Sequence, residues 1–280
     1  MSTELVWKVK KDTKVDLKDY HPGYTDDADR ASADAQVKQL GAELSDLQEL
    51  LAAAQHQSLL VILQGMDTSG KDGTIRHVLS KVNPQGCQVH SFKEPTQEEL
   101  QHDFLWRVHK VTPAKGVMGI FNRSHYEDVL IARVHNLVPP QVWSRRYEEI
   151  NHFEHLLTNN GTIILKFFLH ISFNEQEQRL LAREQDPDKA WKVAVGDWKE
   201  RAYWQDYQTA YEDALSKCSS DEAPWYIVPA NHKWYRNLAI AHTLISVMRE
   251  YKSEWQQELE ARGQEALAQL YRMRQQQKQP

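Results

Sequence analysis

Leu59-Leu-Val-Ile-Leu63, followed by Gly65-Met-Asp-Thr-Ser-Gly-Lys-Asp72, decides how this chain folds. A short apolar, β-branched run feeding a glycine-rich turn and then helix-forming residues reads as strand, loop and helix. In that unit the backbone N–H groups of the loop converge on an anion, and the positive end of the helix dipole adds to the attraction. Gly65, Gly70 and Lys71 satisfy G-x-x-x-x-G-K, but Asp72 stands where the usual pattern has Ser or Thr. That hydroxyl ordinarily meets magnesium, so carboxylates must complete the metal shell, and Asp67 and Asp72 are the ones within the loop. The phosphate cradle is then the run Gly65, Met66, Asp67, Thr68, Ser69, Gly70, Lys71 and Asp72, extended by Gly73 and Thr74.

Outward from this loop, apolar runs recur between helical stretches at Leu59–Leu63, Cys87–Phe92, Gly116–Phe121, Thr162–Leu169 and Trp225–Val228. Alternating strands and helices imply an α/β fold, with a five-stranded parallel sheet covered on both faces in three α/β/α layers. Ligands bind such sheets beyond the carboxyl ends of the strands. Gly65–Asp72, Ser91–Glu94, Asn122–Ser124, His170–Ser172 and Pro229–Lys233 are therefore expected along one rim. Upstream, Val37, Leu40, Leu44, Leu47 and Leu51 step by three and four, which predicts a long amphipathic helix within Asp29–Gln57. The expected organisation is an arm and long helix over residues 1–57, a catalytic domain over 58–251 and a helical tail over 252–280. The aromatic, basic stretch at about 183–218 has no strand pattern and reads as a helical lid.

The third run ends in Phe121-Asn-Arg-Ser-His-Tyr-Glu-Asp128. A phosphate-handling enzyme of this kind usually places an acidic residue there to hold metal; this chain has Asn122. Arg123 can grip a phosphate with two parallel donors. Glu127 can ligate metal or orient the attacking group, or it can belong to a capping box with Ser124. Transfer of a phosphoryl group spreads charge and calls for cations on several sides. The candidates are Lys71, Arg123, Arg133, Arg183, Lys189, Lys192, Arg201, Lys233 and Arg236. Most of the lid aromatics, Trp191, Trp198, Tyr203, Trp204, Tyr207 and Tyr211, read as packing.

Composition narrows the function classes. A net charge of −5 argues against a nucleic-acid partner. Two cysteines, Cys87 and Cys218, give neither a disulfide framework nor a metal motif, which suits a reducing cytoplasm. No apolar stretch reaches the roughly 18 residues of a membrane span. Asn231-His-Lys-Trp234 is not a GTPase base reader, and a transporter-type Ser-Gly-Gly-Gln is absent. A small-substrate kinase remains, with an ATP-dependent nucleotide kinase and a non-catalytic phosphate-binding protein as the other readings.

Four stretches taken together resemble the second family of polyphosphate kinases: Gly65–Ile75, Phe121–Val129, Asp186-Pro-Asp-Lys-Ala-Trp-Lys192 and Ala230-Asn-His-Lys-Trp-Tyr-Arg236. The likeness runs from about Val15 to Tyr251. It implies a P-loop kinase fold with a helical lid and reversible transfer of the terminal phosphate of polyphosphate to a nucleotide. It implies Mg2+, with Mn2+ as a substitute, and a homo-oligomer, either dimer or tetramer. Carried over by motif, Asp67 and the Asn122 position lie at the metal and acceptor site. Lys71 and Arg123 hold the migrating phosphate, and the lid cations close over it. Much of the family has Asp at the Asn122 position. The form found here resembles the branch that accepts both AMP and ADP, with Glu127 as the compensating carboxylate and guanine nucleotides as further acceptors.

Overall fold

The computed structural model describes residues 5–26, 28–186 and 195–276; Lys189, Trp191 and Lys192 lie outside the described residues. The strands are β1 (Trp7–Val9), β2 (Ser58–Gln64), β3 (Cys87–Ser91), β4 (Met118–Asn122), β5 (Thr162–His170) and β6 (Trp225–Pro229). The helices are α1 (Arg30–Ala54), α2 (Lys71–Val78), α3 (Trp106–His109), α4 (Ile131–Val134), α5 (Pro140–Asn159), α6 (Phe173–Glu184), α7 (Val195–Glu200), α8 (Trp204–Lys217) and α9 (Lys233–Gln276).

One six-stranded sheet runs in the order β1-β6-β5-β2-β4-β3. The five strands read from the sequence form its parallel body, with Leu63 opposite Asn122 and His170 opposite Pro229. The sixth corrects the expected count. Trp7–Val9 pairs antiparallel with Trp225–Ile227 at the edge. Three residues in a polar arm carry too little period-two pattern to announce a strand; it exists because the edge of β6 offers unpaired N–H and C=O groups. Ser219 Oγ donates to Val9 O at 2.6 Å, and Leu17 N donates to Glu212 Oε1 at 3.0 Å, so the arm is fastened to the body along its length.

β2 and β5 are buried at every position, as strands covered on both faces must be. One face carries α1, α2 and α9, with α1 running beside α9. Asp29 caps α1, its side chain accepting from Ser32 N, and Leu44, Leu47 and Leu51 are buried beneath it. The other face carries α5 and α8. Ala210, Tyr211, Ala214 and Leu215 of α8 enter the core, and the Tyr211 ring lies 4.5 Å from that of Phe168. The C-terminal part of the stretch read as a lid is thus packed on the sheet. Among the described residues, no helix is long and apolar enough to cross a membrane.

Candidate active site

The loop after β2 takes its shape from two glycines. Gly65 has φ +151°, and a Cβ there would stand 2.8 Å from Leu169 O and Ser69 Oγ. Gly70 has φ +104°, and a Cβ there would overlap the Arg236 guanidinium. The Thr68, Ser69 and Thr74 hydroxyl oxygens are buried without a hydrogen-bond partner among the described residues. Polar atoms so placed are suited to the oxygens of an anion.

Lys71 opens α2 and turns back into the loop, its Nζ donating to Gly65 O at 2.7 Å and Met66 O at 3.3 Å. Burial, with Arg123 close by, lowers its pKa to about 8 against the opposing pull of Asp67, Glu127 and Asp72. Arg123 follows β4 in a left-handed conformation, φ +61°. Its Nη2 donates to Asp67 Oδ1 at 2.8 Å, joining the two loops across adjacent strands. Burial alone would lower the Arg123 pKa, but Glu127 and Asp67 outweigh it and hold the group above its ordinary value. Two cations and two carboxylates therefore converge where β2 and β4 end. Asp72 and Asn122 meet there as well, Asn122 Nδ2 donating to Asp72 Oδ1 at 2.8 Å.

The segment after Arg123 is held from beneath and from the side. Ser124 caps a 3-10 turn at His125–Asp128, accepting from Tyr126 N, so the expected box pairing Ser124 with Glu127 is replaced by a tighter turn. Glu127 is left with its side chain toward the cations. Asp128 turns away to Arg146, 3.0 Å, and Arg107, 3.8 Å. Burial lifts its pKa to about 6 against the pull of those arginines.

The remaining cations divide. Arg183 pairs with Asp197 at 3.0 Å. Burial raises the Asp197 pKa, and Asp67 adds to the rise, so α7 brings a carboxylate toward the loop. Arg201 lies against the Phe173 ring and donates to Phe173 O, Gln176 Oε1 and Glu177. Arg133 is held by Asp213 and Tyr147 over Trp143. Arg236 is buried behind the loop, donating to Ser69 O at 3.3 Å, and burial beside Arg179 lowers its pKa to about 9. Lys233 is exposed at the start of α9. Arg133, Arg201 and Arg236 are accordingly engaged by protein acceptors.

Sequence reasoning missed Arg179. Its guanidinium donates to Thr68 O and Ser69 O on one side and to Ala230 O and Asn231 O on the other, tying the loop to the end of β6. Gln176 Nε2 adds a bond to Asp67 O. Tyr207 and Tyr211 of α8 lie within electrostatic reach of the cluster: burial raises both pKa values, followed for Tyr207 by its hydrogen bond to Glu200, and Glu127 and Asp67 contribute to each. No local motif marks these residues.

The sequence profile described as Polyphosphate kinase 2 (PPK2) matches residues 27–256. The chain belongs to the polyphosphate kinase 2 family. It is 48% identical over 253 residues to the AMP/ADP-polyphosphate phosphotransferase of Meiothermus ruber, covering 90% of this chain and 95% of that one. It is also 48% identical to the ADP-polyphosphate phosphotransferase of Rhodopseudomonas palustris, covering 83% of each. The crystal structure of Polyphosphate Kinase 2 from Arthrobacter aurescens superposes with a TM-score of 0.83 at 44% identity, covering 88% of this chain and 91% of that one. In this polyphosphate kinase 2 chain, the Asp67–Arg123 bridge joins residues from two of the sequence motifs.

Proposed function

We propose that this chain is a kinase that passes the terminal phosphate of inorganic polyphosphate to AMP and to ADP, reversibly and with Mg2+. The observation that carries the reading is the convergence of Lys71, Arg123, Asp67 and Glu127 at the ends of two adjacent strands. Lys71 and the loop N–H groups bind and orient phosphate oxygens, and Arg123 meets the charge that spreads over the group in flight. Closure of the helical lid over the cluster would exclude water, so that hydrolysis does not compete. Polyphosphate offers no base to recognise, so cations along a groove suffice even in an acidic protein.

Among the described residues, no group of three His, Cys, Asp or Glu could hold a metal by itself. That fits magnesium, which takes one or two carboxylates and completes its shell with water and substrate phosphates. Asp67 and Glu127 would hold it, with Mn2+ as a substitute. When bound, the ion supplies positive charge to phosphate oxygens. Glu127→Gln is expected to lower kcat about a hundredfold and to raise the metal concentration needed for half-maximal rate. An unchanged metal dependence would remove Glu127 from the metal shell.

The dual-acceptor branch is supported by the name of the Meiothermus ruber relative, which gives both AMP and ADP, whereas that of the Rhodopseudomonas palustris relative gives ADP alone. Purified protein is to be assayed with AMP, ADP and guanine nucleotides as acceptors, and with polyphosphate and ATP as donors. ADP and then ATP are expected from AMP only when polyphosphate is the donor. Product with ATP alone would make this an ordinary nucleotide kinase. The free Cys87 and Cys218 thiols support a cytoplasmic setting.

A further inference from the structure

α9 continues well beyond the helix it packs on. In its first half Leu244, Met248 and Trp255 are buried, and α1 runs alongside, Arg249 pairing with Glu43. α1 ends at Ala54, where Arg262 Nη1 donates to the last carbonyls, Ala53 O and Ala54 O, at 2.9 Å each. Beyond that point α9 runs on to Gln276 with every described side chain exposed. The family match stops at residue 256, so this exposed length lies beyond the matched region.

The buried stripe does not stop with α1. At 3.6 residues per turn, Leu259, Gly263, Ala266, Leu270 and Met273 share a sector of about 80° that continues the line of Leu244, Met248 and Trp255. Leu259 is 41% exposed, Leu270 42% and Met273 47%. An isolated helix of this length is marginal in water, and an uncovered apolar stripe makes it worse. Gly263 sharpens the point. A Cβ there would meet nothing within 4 Å, yet glycine costs a helix interior about 1 kcal/mol against alanine. Its own chain does not require the glycine; something approaching from outside would. A groove of about 400 Å3 lies here, lined by Ala53, Leu259, Gly263 and Ala266 among others.

We propose that the stripe is covered by the same stripe of a second copy of this chain, the two α9 tails pairing antiparallel about a twofold axis near Leu267. The pattern is self-complementary, as an isologous contact demands. After Leu259, the small residues Gly263 and Ala266 come before the midpoint of the pairing and the large ones, Leu270 and Met273, after it. Antiparallel pairing sets each large half against the partner's small half. It also sets Glu260 opposite Arg274 on the same flank, twice by symmetry. Parallel pairing would put large on large and would leave Glu260 and Arg274 at opposite ends of the stripe.

The test is the mass of the full chain in solution by light scattering, with circular dichroism to establish folding of each variant. The wild type is expected to be oligomeric, and truncation after Gln256 to halve its mass. Leu270→Glu, Glu260→Arg alone and Arg274→Glu alone are each expected to weaken self-association more than about tenfold. Glu260→Arg with Arg274→Glu in one chain restores it. Equal masses for the full and truncated chains would overturn the proposal, as would a monomeric wild type or a charge-swapped double variant no better than the single ones.

Discussion

Lys71→Met is expected to lower kcat for transfer from polyphosphate by at least about a thousandfold while leaving the fold as stable as before or more so. Both halves follow from the same environment. The ammonium is buried, its pKa drawn down to about 8, and its bonds go to the loop carbonyls of Gly65 and Met66. A cation desolvated this far favours folding little, and an apolar chain of similar length relieves the burial cost. The migrating phosphate, by contrast, loses a preorganised positive charge, and such a charge counts for several kcal/mol in the transition state. Thermal melting and steady-state rates on one preparation separate the two effects. Transfer near the wild-type rate would mean that Lys71 only shapes the loop. A large fall in melting temperature would mean that the ammonium matters mainly to folding.

What could be read from the sequence was whatever is coded over a few neighbouring residues. The parallel strands announced themselves as apolar runs, α1 as three- and four-residue steps, and the phosphate loop as glycines at fixed spacing. β1 did not, because three residues become a strand only when β6 lies alongside. The departures at Asp72 and Asn122 looked like two separate losses from a familiar pattern. In the fold they are one feature, since the amide of one donates to the carboxylate of the other across 50 residues of chain. The cations were the least legible. Lys71 and Arg123 stand at the cluster, whereas Arg133, Arg201 and Arg236 serve Asp213, Gln176 and Ser69 O respectively. Which arginines a folded protein consumes internally depends on acceptors distant in sequence, and no count of positive charge reveals it.

Lys166→Met is expected to cost about 3–5 kcal/mol of stability, lowering the melting temperature by about 10 °C. Lys166 sits mid-strand in β5 and is fully buried. Its Nζ spends all three donors, on Glu154 Oε2 at 2.5 Å, Tyr126 Oη at 3.0 Å and Cys218 O at 2.5 Å. Glu154 in turn accepts from Tyr126 Oη at 2.8 Å and lies 3.2 Å from His125 Nε2. Burial alone would raise the Glu154 pKa, but Lys166 and His125 hold it below the ordinary value, so the carboxylate stays charged. Removing the lysine strands that charge in the core. Removing both charges does not, and Lys166→Met with Glu154→Met is expected to recover at least half the loss. The remainder belongs to the Tyr126 hydroxyl and the His125 ring, left without their acceptor. If the double variant melts no higher than Lys166→Met, the two charges are not coupled and the network reading fails. Because His125 and Tyr126 anchor the turn that carries Arg123 and Glu127, the single variant is expected to lose kcat even well below its melting point. The double variant should not regain that activity in proportion to its stability, since it still lacks the acceptor that fixes the turn.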